Sequence, residues 1–174
     1  MIPEKPYISP AVLVCDYSLV PDEIEESARR YGELYDISPE LLIAIAKAES
    51  EFDPGAINGS CVGLMQVSLK WHRDRMDRLD VSEEQMWTVD GSMHVATDYL
   101  SELFAKYEDP AMVLMVYNGD DDAWSYWEGG CAMSDYAAEV LSTAKELEEV
   151  RDANSSTGEQ GRTGEALLEV QDRY

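Results

Sequence analysis

Apolar residues recur along the chain at the three- and four-residue spacing of amphipathic helices, whereas strand-like alternation of apolar and polar residues is scarce. The first helix is predicted to begin near Pro21 and to end before the turn at residues 36–38. Its apolar stripe consists of Ile24, Ala28, Tyr31 and Leu34. The pattern therefore predicts a mainly α fold.

A second, denser apolar helix follows the turn. Ser38 is placed as its N-cap and Pro39 as its first helical residue, ahead of the run LLIAIAKAES. Because apolar residues occupy most of its circumference, this helix is predicted to be buried at the centre of the fold. Residues 52–61 contain a proline and an Asn-Gly pair and are predicted to form a loop.

Further helices are predicted downstream from their capping residues. Residues 69–79 contain a short helix whose alternating Arg and Asp are expected to face water. Asp90 is predicted to cap the next helix. Asp109, which a proline follows, is predicted to cap the helix after that, and this helix is predicted to stop at a glycine. Ser134 is predicted to cap the last helix. Beyond about Val150 the Ser- and Gly-containing sequence predicts a flexible linker and a disordered tail.

The length of 174 residues fits one domain with extensions. We predict an N-terminal extension over residues 1–17, a single folded domain over 18–150 and an acidic, flexible C-terminal tail over 151–174. No stretch approaches the ~20 uninterrupted apolar residues of a membrane-spanning helix, so no membrane insertion is expected. The first residues lack a basic segment before their short apolar run, so we expect no secretory signal there.

The net charge of −23 narrows the range of partners. Such a charge repels nucleic acids and anionic membrane surfaces, so we expect neither as a partner, although most of the charge is expected simply to keep the protein soluble. The cysteine spacing matches no zinc motif, and His72 and His94 lie too far apart in sequence to form a local ligand pair. We therefore expect no metal and no cofactor.

One carboxylate lies on an otherwise apolar helix face. Leu42, Ile45, Ala46 and Glu49 follow one another at helical spacing. Burial and the negative end of the helix dipole both favour the protonated carboxyl, which raises its pKa as a general acid near neutral pH requires. A glutamate at a helix end can instead turn into solvent, and helical geometry alone leaves both interpretations open.

Three sequence blocks surround this glutamate. ESEFDP covers residues 49–54, GLMQ covers 63–66 and VYN covers 116–118. Together they resemble the soluble lytic transglycosylases and goose-type lysozymes, and the resemblance extends from about Ser18 to Leu147. It implies a lysozyme-like single domain with a catalytic cleft, and an enzyme that acts as a monomer on peptidoglycan glycan strands.

The resemblance also implies roles for individual residues. Glu49 corresponds to the single catalytic acid and base, and Tyr136 to a tyrosine that reaches toward it. The residues expected to bind substrate in the cleft are Ser50, Met65, Gln66, Tyr117, Asn118 and Tyr136. Ordinary structural roles are the alternative for these residues. The glutamine can form hydrogen bonds with backbone groups of its loop, the methionine and tyrosines can pack in the core, and the asparagine can be only the last residue of a helix.

The chain departs from the family pattern at two places. Val116 replaces the usual alanine, and the loop over residues 58–63 is one residue shorter and places Cys61 beside the cleft. This cysteine can be a redox-sensitive thiol at the rim, a disulfide partner of Cys131, or a small buried apolar residue.

The activity implied is lytic cleavage of the β-1,4 bond between N-acetylmuramic acid and N-acetylglucosamine, with a 1,6-anhydromuramoyl product. No second catalytic carboxylate is evident, because Asp53 and residues 120–122 are typical of solvated turns. The alternatives are a hydrolytic muramidase and a catalytically inactive wall-binding module. A peptidoglycan substrate implies an extracytoplasmic, wall-associated or secreted location.

Overall fold

A computed structural model of the protein describes residues 19–168, with side chains described as far as residue 155. This range contains α1 (Asp22–Tyr35), α2 (Pro39–Ser50), α3 (Arg73–Leu79), a 3₁₀ helix (Glu84–Trp87), α4 (Val89–Tyr107), α5 (Pro110–Asn118), α6 (Ala123–Trp127) and α7 (Asp135–Leu168). The fold is mainly helical, as the apolar pattern predicts. The predicted extension over residues 1–17 lies outside the described residues.

The central helix is α2, and its apolar side chains are almost completely buried. Leu42, Ile43 and Ile45 are each 0% exposed, and α2 packs against both α1 and α7, while α4 packs against α1 and α5. Burying a side chain of this size stabilises the fold by roughly 1.5–3 kcal/mol. The middle of α2 is therefore held firmly within the helical core, which fixes the position of its carboxyl end.

Several predicted helix boundaries are confirmed. The Asp109 side chain accepts a hydrogen bond from the Met112 backbone N–H at 2.9 Å, with a proline as the next residue. Gly119 ends α5 in the left-handed conformation, with φ of 75°. The Ser134 hydroxyl accepts a hydrogen bond from the Ala137 N–H at the start of α7.

Other sequence-based expectations are wrong in detail. Leu34 is 63% exposed rather than part of the buried stripe of α1, which uses Gly32 on that turn instead. The N-cap of α4 is Thr88, whose hydroxyl accepts a backbone hydrogen bond, and Asp90 lies inside the first turn. Ser38 holds the N-cap position of α2, but its side chain makes no capping bond.

The only sheet in the described part of the chain begins within the predicted loop over residues 52–61 and continues to Ser68. Strands β1 (Ile57–Asn58), β2 (Cys61–Val62) and β3 (Val67–Ser68) pair antiparallel in that order. Each strand has two residues, too few for an alternating pattern to appear in the sequence. The sheet positions the GLMQ segment, which lies between β2 and β3.

The prediction that the Arg and Asp side chains of α3 face water is only partly correct. The Arg75 side chain is 11% exposed and pairs with Asp98 of α4 and, at 2.6 Å, with Glu102 of the same helix. Asp98 also pairs with Arg78 at 2.7 Å. Because buried charges need partners, these ion pairs explain how an Arg-rich helix packs against α4.

The last helix continues past the predicted domain boundary at Val150. Arg151 pairs at 2.7 Å with Glu40, a carboxylate on α2 whose side chain is 2% exposed, so the folded part extends beyond that boundary. α7 is helical as far as Leu168, and residues 169–174 lie outside the described residues. None of the helices within residues 19–168 combines the length and apolarity that crossing a bilayer requires.

A test of the fold concerns Gly63, at the start of the GLMQ segment. Its φ is +78°, and a Cβ added there would lie 2.2 Å from the Met86 carbonyl oxygen. Gly63→Ala is therefore expected to lower the free energy of unfolding by about 1–3 kcal/mol, measured by urea denaturation. Gly59→Ala is the matched control, because Gly59 also has a positive φ but no atom within 4 Å of its added Cβ. Equal losses in the two variants would contradict the crowding argument.

Candidate active site

A cleft of about 360 Å³ opens at the carboxyl end of α2. Its walls come from the small sheet, the segment after β3, one face of α4 and the end of α5. Glu49 is the next-to-last residue of α2 and lines this cleft. Two consecutive residues with positive φ, Glu51 and Phe52, then turn the chain sharply away from the helix axis.

The Glu49 carboxyl is half-buried and contacts α7. The Tyr136 hydroxyl donates a hydrogen bond to Glu49 Oε1 at 2.6 Å. Burial raises the pKa of Glu49, and the hydrogen bond from Tyr136 acts in the opposite direction because it favours the ionised carboxylate. Burial is the larger effect, so the carboxyl holds its proton to a higher pH than an ordinary glutamate.

A second tyrosine, Tyr117, lines the same cleft. The Tyr117 hydroxyl donates a hydrogen bond to the Met65 carbonyl oxygen at 2.7 Å. Burial, and the charge of Glu49 after it, raise the pKa of Tyr117 well above its ordinary value. The phenol is therefore neutral at physiological pH and connects the end of α5 to the GLMQ segment.

Gln66 lines the cleft from a left-handed backbone position, with φ of 47°. Its amide nitrogen donates to the Gly63 carbonyl at 2.8 Å and to the Ala56 carbonyl at 3.1 Å. Its amide oxygen has no hydrogen-bond partner among the described residues. The side chain thus satisfies backbone groups of its own loop, one of the two predicted roles, while facing the cleft.

The remaining predicted cleft residues are placed differently from one another. Asn118 lines the cleft, and its amide donates to Asp120 at 2.6 Å. Ser50 does not line it, because its hydroxyl is directed at the backbone carbonyl of Leu64 at 2.7 Å. Met65 does not line it either, since its side chain is 0% exposed within the core. Both residues hold the cleft segment in place from behind, and direct substrate binding by either of them stays a prediction.

Sequence reasoning missed the aromatic wall of the cleft. Trp71 is 77% exposed, and the ring of its neighbour His72 lies 4.5 Å from the ring of Tyr99. Burial, followed by the charge of Arg75, lowers the pKa of His72, so this imidazole is neutral near pH 7. The tryptophan five residues after the GLMQ block is the sequence feature that could have indicated this wall. It lies in the segment that the charge pattern predicts to be a water-facing helix.

Glu49 is the one carboxylate among the described residues that line the cleft. The neighbouring loop acids have local tasks instead. Asp53 accepts a hydrogen bond from the Gly55 N–H at 2.8 Å, and Asp120 accepts from Asn118. The site therefore offers one proton-transferring carboxyl to a bound molecule.

Cys61 lines the cleft and is half-buried. Cys61 and Cys131 are both free thiols, so the disulfide considered as one alternative is not formed. The alternative of a buried apolar residue also does not describe Cys61, which leaves the thiol at the cleft wall. Cys15 lies outside the described residues.

The raised pKa of Glu49 makes a stability prediction. Because the folded state holds this proton more tightly than the unfolded chain, native stability falls as pH rises from the ordinary glutamate pKa through the folded value. Glu49→Gln removes that loss, so the variant is expected to melt at a higher temperature than the wild type near pH 8, with the difference narrowing toward about pH 5. Thermal melts across this range measure it. The exposed Glu51→Gln is the control, and a Glu49→Gln effect that does not vary with pH would contradict the assignment.

Comparisons with known proteins are consistent with this geometry. The sequence model of the family described as transglycosylase SLT domain matches residues 26–135, more than half of the chain. A solved structure of the lytic transglycosylase Slt from Pseudomonas aeruginosa, an inactive glutamate-to-glutamine mutant, is similar with a TM-score of 0.60 and 18% identity. The similarity covers 72% of this chain and 24% of that chain, so this chain spans about a quarter of the larger protein and shares its fold there. None of the curated proteins compared with the chain matches it.

Proposed function

The chain belongs to the transglycosylase SLT domain family, and we propose that it cleaves the β-1,4 bond between N-acetylmuramic acid and N-acetylglucosamine in peptidoglycan. The observation that carries the proposal is the half-buried Glu49, whose pKa is raised and which is the single carboxylate lining the cleft among the described residues. A raised pKa increases the protonated fraction of the carboxyl, which is the form that a general acid requires.

In the proposed reaction the Glu49 carboxyl first donates a proton and then accepts one. The protonated carboxyl first donates to the glycosidic oxygen, so the bond from the muramoyl anomeric carbon to that oxygen breaks. The muramoyl N-acetyl group assists at the anomeric carbon. The Glu49 carboxylate then accepts the proton of the C6 hydroxyl of the muramoyl sugar. At the same time the C6 oxygen forms its bond to the anomeric carbon. The product is a 1,6-anhydromuramoyl end, and Glu49 is protonated again.

Within residues 19–168, the lack of a second carboxylate that lines the cleft supports this route. Most glycosidases use two carboxyl groups about 5–10 Å apart, one of which activates water or attacks the sugar. Intramolecular attack by the C6 hydroxyl needs neither, because effective molarities of well-oriented groups reach roughly 10⁵ M or more. Asp53 and Asp120, two acids in loops next to the cleft, are hydrogen-bonded within their own loops.

The other predicted site residues receive proposed roles from their contacts. Gln66, Tyr117 and Asn118 orient the sugar from the cleft wall, and Tyr136 positions the Glu49 carboxyl through its 2.6 Å hydrogen bond. The two residues behind the cleft act indirectly. Ser50 fixes the carbonyl of Leu64, and the Met65 carbonyl holds the Tyr117 hydroxyl.

Peptidoglycan lies outside the bacterial cytoplasmic membrane, so this activity places the working protein at the cell wall. The glycan strand itself supplies the hydroxyl and N-acetyl groups that the proposed reaction uses. None of the proposed steps uses a metal or a cofactor.

Digestion of purified sacculi by the full chain tests the proposal, with Glu49→Gln as the control and soluble products weighed by mass spectrometry. We expect muropeptides with anhydromuramoyl ends, which are lighter by one water than reducing products. Reducing ends would contradict the proposal and indicate a hydrolytic muramidase. Binding to sacculi without any soluble product would also contradict it and indicate a wall-binding module.

A further inference from the structure

The short helix α6 displays aromatic side chains away from the cleft. Trp124 and Trp127 are 60% and 47% exposed, and none of the α6 residues lines the cleft. Residues three apart lie on the same side of a helix, so the two indoles form one face. The Trp127 ring also contacts the Tyr107 ring edge-on, with 5.9 Å between centroids. We call Tyr107, Trp124 and Trp127 the α6 aromatic face.

The α6 aromatic face is held in place by the residues around it. Ala123, at the start of α6, is 7% exposed, and Tyr126 packs against the core. After the helix, Gly129 adopts a positive φ and the Gly130 N–H donates to the Ser125 carbonyl at 2.8 Å. The helix is therefore anchored on its inner side while its outer side presents two indoles to solvent. Clustered exposed tryptophans of this kind are typical of binding surfaces.

The segment that carries the two tryptophans is acidic. Residues 107–144 contain eight Asp and Glu and no Lys, Arg or His. Asp121, Asp122 and Glu128 flank the two tryptophans in sequence, and all three are exposed. The nearest preceding cation is Lys106, whose ammonium lies over the Tyr107 ring at 4.7 Å from its centroid. This contact places a cation of the chain itself over one ring of the α6 aromatic face, the geometry of a cation–π interaction.

We infer that the α6 aromatic face and its flanking acids dock a basic amphipathic segment of a partner protein. Apolar side chains of that segment cover the indoles, and its Lys or Arg side chains pair with Asp121, Asp122 and Glu128. Charge complementarity selects this occupant: nucleic acids and anionic membranes are repelled by the same carboxylates. The inference is independent of the cleft, because it uses no residue of the candidate active site.

The four tryptophans of the chain provide a direct readout, since each gives one indole N–H signal in a ¹⁵N-correlated NMR spectrum. The probe is a synthetic amphipathic helical peptide of Lys and Leu, titrated into the full chain, with a Glu and Leu peptide of the same pattern as control. We expect the signals of Trp124 and Trp127 to shift with the basic peptide, while those of Trp71 and Trp87 stay in place. The acidic peptide is expected to shift none of them.

Two variants separate a specific surface from general attraction to an acidic protein. Trp124→Ala with Trp127→Ala keeps the net charge and is expected to weaken peptide binding at least about 10-fold, the loss typical of removing interface anchors. Asp121→Asn with Asp122→Asn keeps the indoles and is expected to weaken binding and to reduce its salt dependence. Trp87→Ala, at a tryptophan of another element, is the matched control and is expected to bind as the wild type. The Asn variant, altered only at exposed positions, keeps the test valid if the double alanine variant does not fold.

Three outcomes would overturn the inference. The first is equal shifts of all four indole signals. The second is wild-type peptide affinity in the folded Trp124→Ala, Trp127→Ala variant, which would mean that charge alone attracts the peptide. The third is movement of these two signals by a chitin oligosaccharide and not by the basic peptide, which would make the surface a glycan-binding one. None of these results depends on whether the cleft cleaves peptidoglycan.

Discussion

Glu49→Gln is expected to lower the rate of sacculus digestion by at least about 10³-fold, because it removes the proton that the leaving oxygen must receive. Glutamine has nearly the same shape and can still accept the hydrogen bond that Tyr136 donates at 2.6 Å. Fold and glycan binding should therefore persist. Release of soluble muropeptides measures the rate, and a pull-down of protein with intact sacculi measures binding.

The matched control is Asp53→Asn, which neutralises a carboxylate in the adjoining loop that does not line the cleft. Its rate is expected to stay within a few fold of wild type if the protein remains folded, since Asp53 only accepts a hydrogen bond from Gly55. A Glu49→Gln protein that digests sacculi at the wild-type rate would remove this residue from the mechanism.

Tyr136→Phe is expected to lower the rate by about 10- to 100-fold and to move the pH profile. The Tyr136 hydroxyl favours the ionised form of Glu49, so its removal raises the pKa of Glu49 further. Activity requires the protonated acid and falls as pH rises through this pKa. The alkaline limb of kcat/KM should therefore shift to higher pH, while the less well-positioned carboxyl lowers kcat.

The shift of the alkaline limb distinguishes positioning from simple damage to the fold. Tyr107→Phe, on α4 and outside the cleft, is the control and should leave the profile unchanged. A Tyr136→Phe enzyme that loses activity with its alkaline limb at the wild-type pH would show that the tyrosine contributes only to packing.

The features that the sequence predicted correctly are those set by local chemistry. Asp109 caps α5 and Ser134 caps α7 because a side-chain oxygen three residues before a free N–H is a local arrangement. The spacing of Glu49 after Leu42 and Ile45 on one helix face left burial and solvent exposure both open, and the structure shows the carboxyl half-buried.

The features that it missed depend on contacts between distant segments. Arg75 is buried because Asp98, 23 residues later, supplies a carboxylate on the adjacent helix. Trp71 belongs to the cleft wall because the neighbouring helix α3 packs against α4. The pattern of apolar residues around Trp71 does not indicate this packing. Met65 contributes a backbone carbonyl rather than its side chain, and a motif that names side chains cannot distinguish the two.

The ionisation of Glu49 is the property on which the account depends most directly. Titration of the full chain with ¹³C-labelled glutamate carboxyls, with the Glu49 signal identified by its loss in Glu49→Gln, measures this pKa by NMR. The account predicts a midpoint above the ordinary value of about 4.3, both in the free protein and with a glycan oligomer bound. A midpoint at or below that value in both states would contradict it.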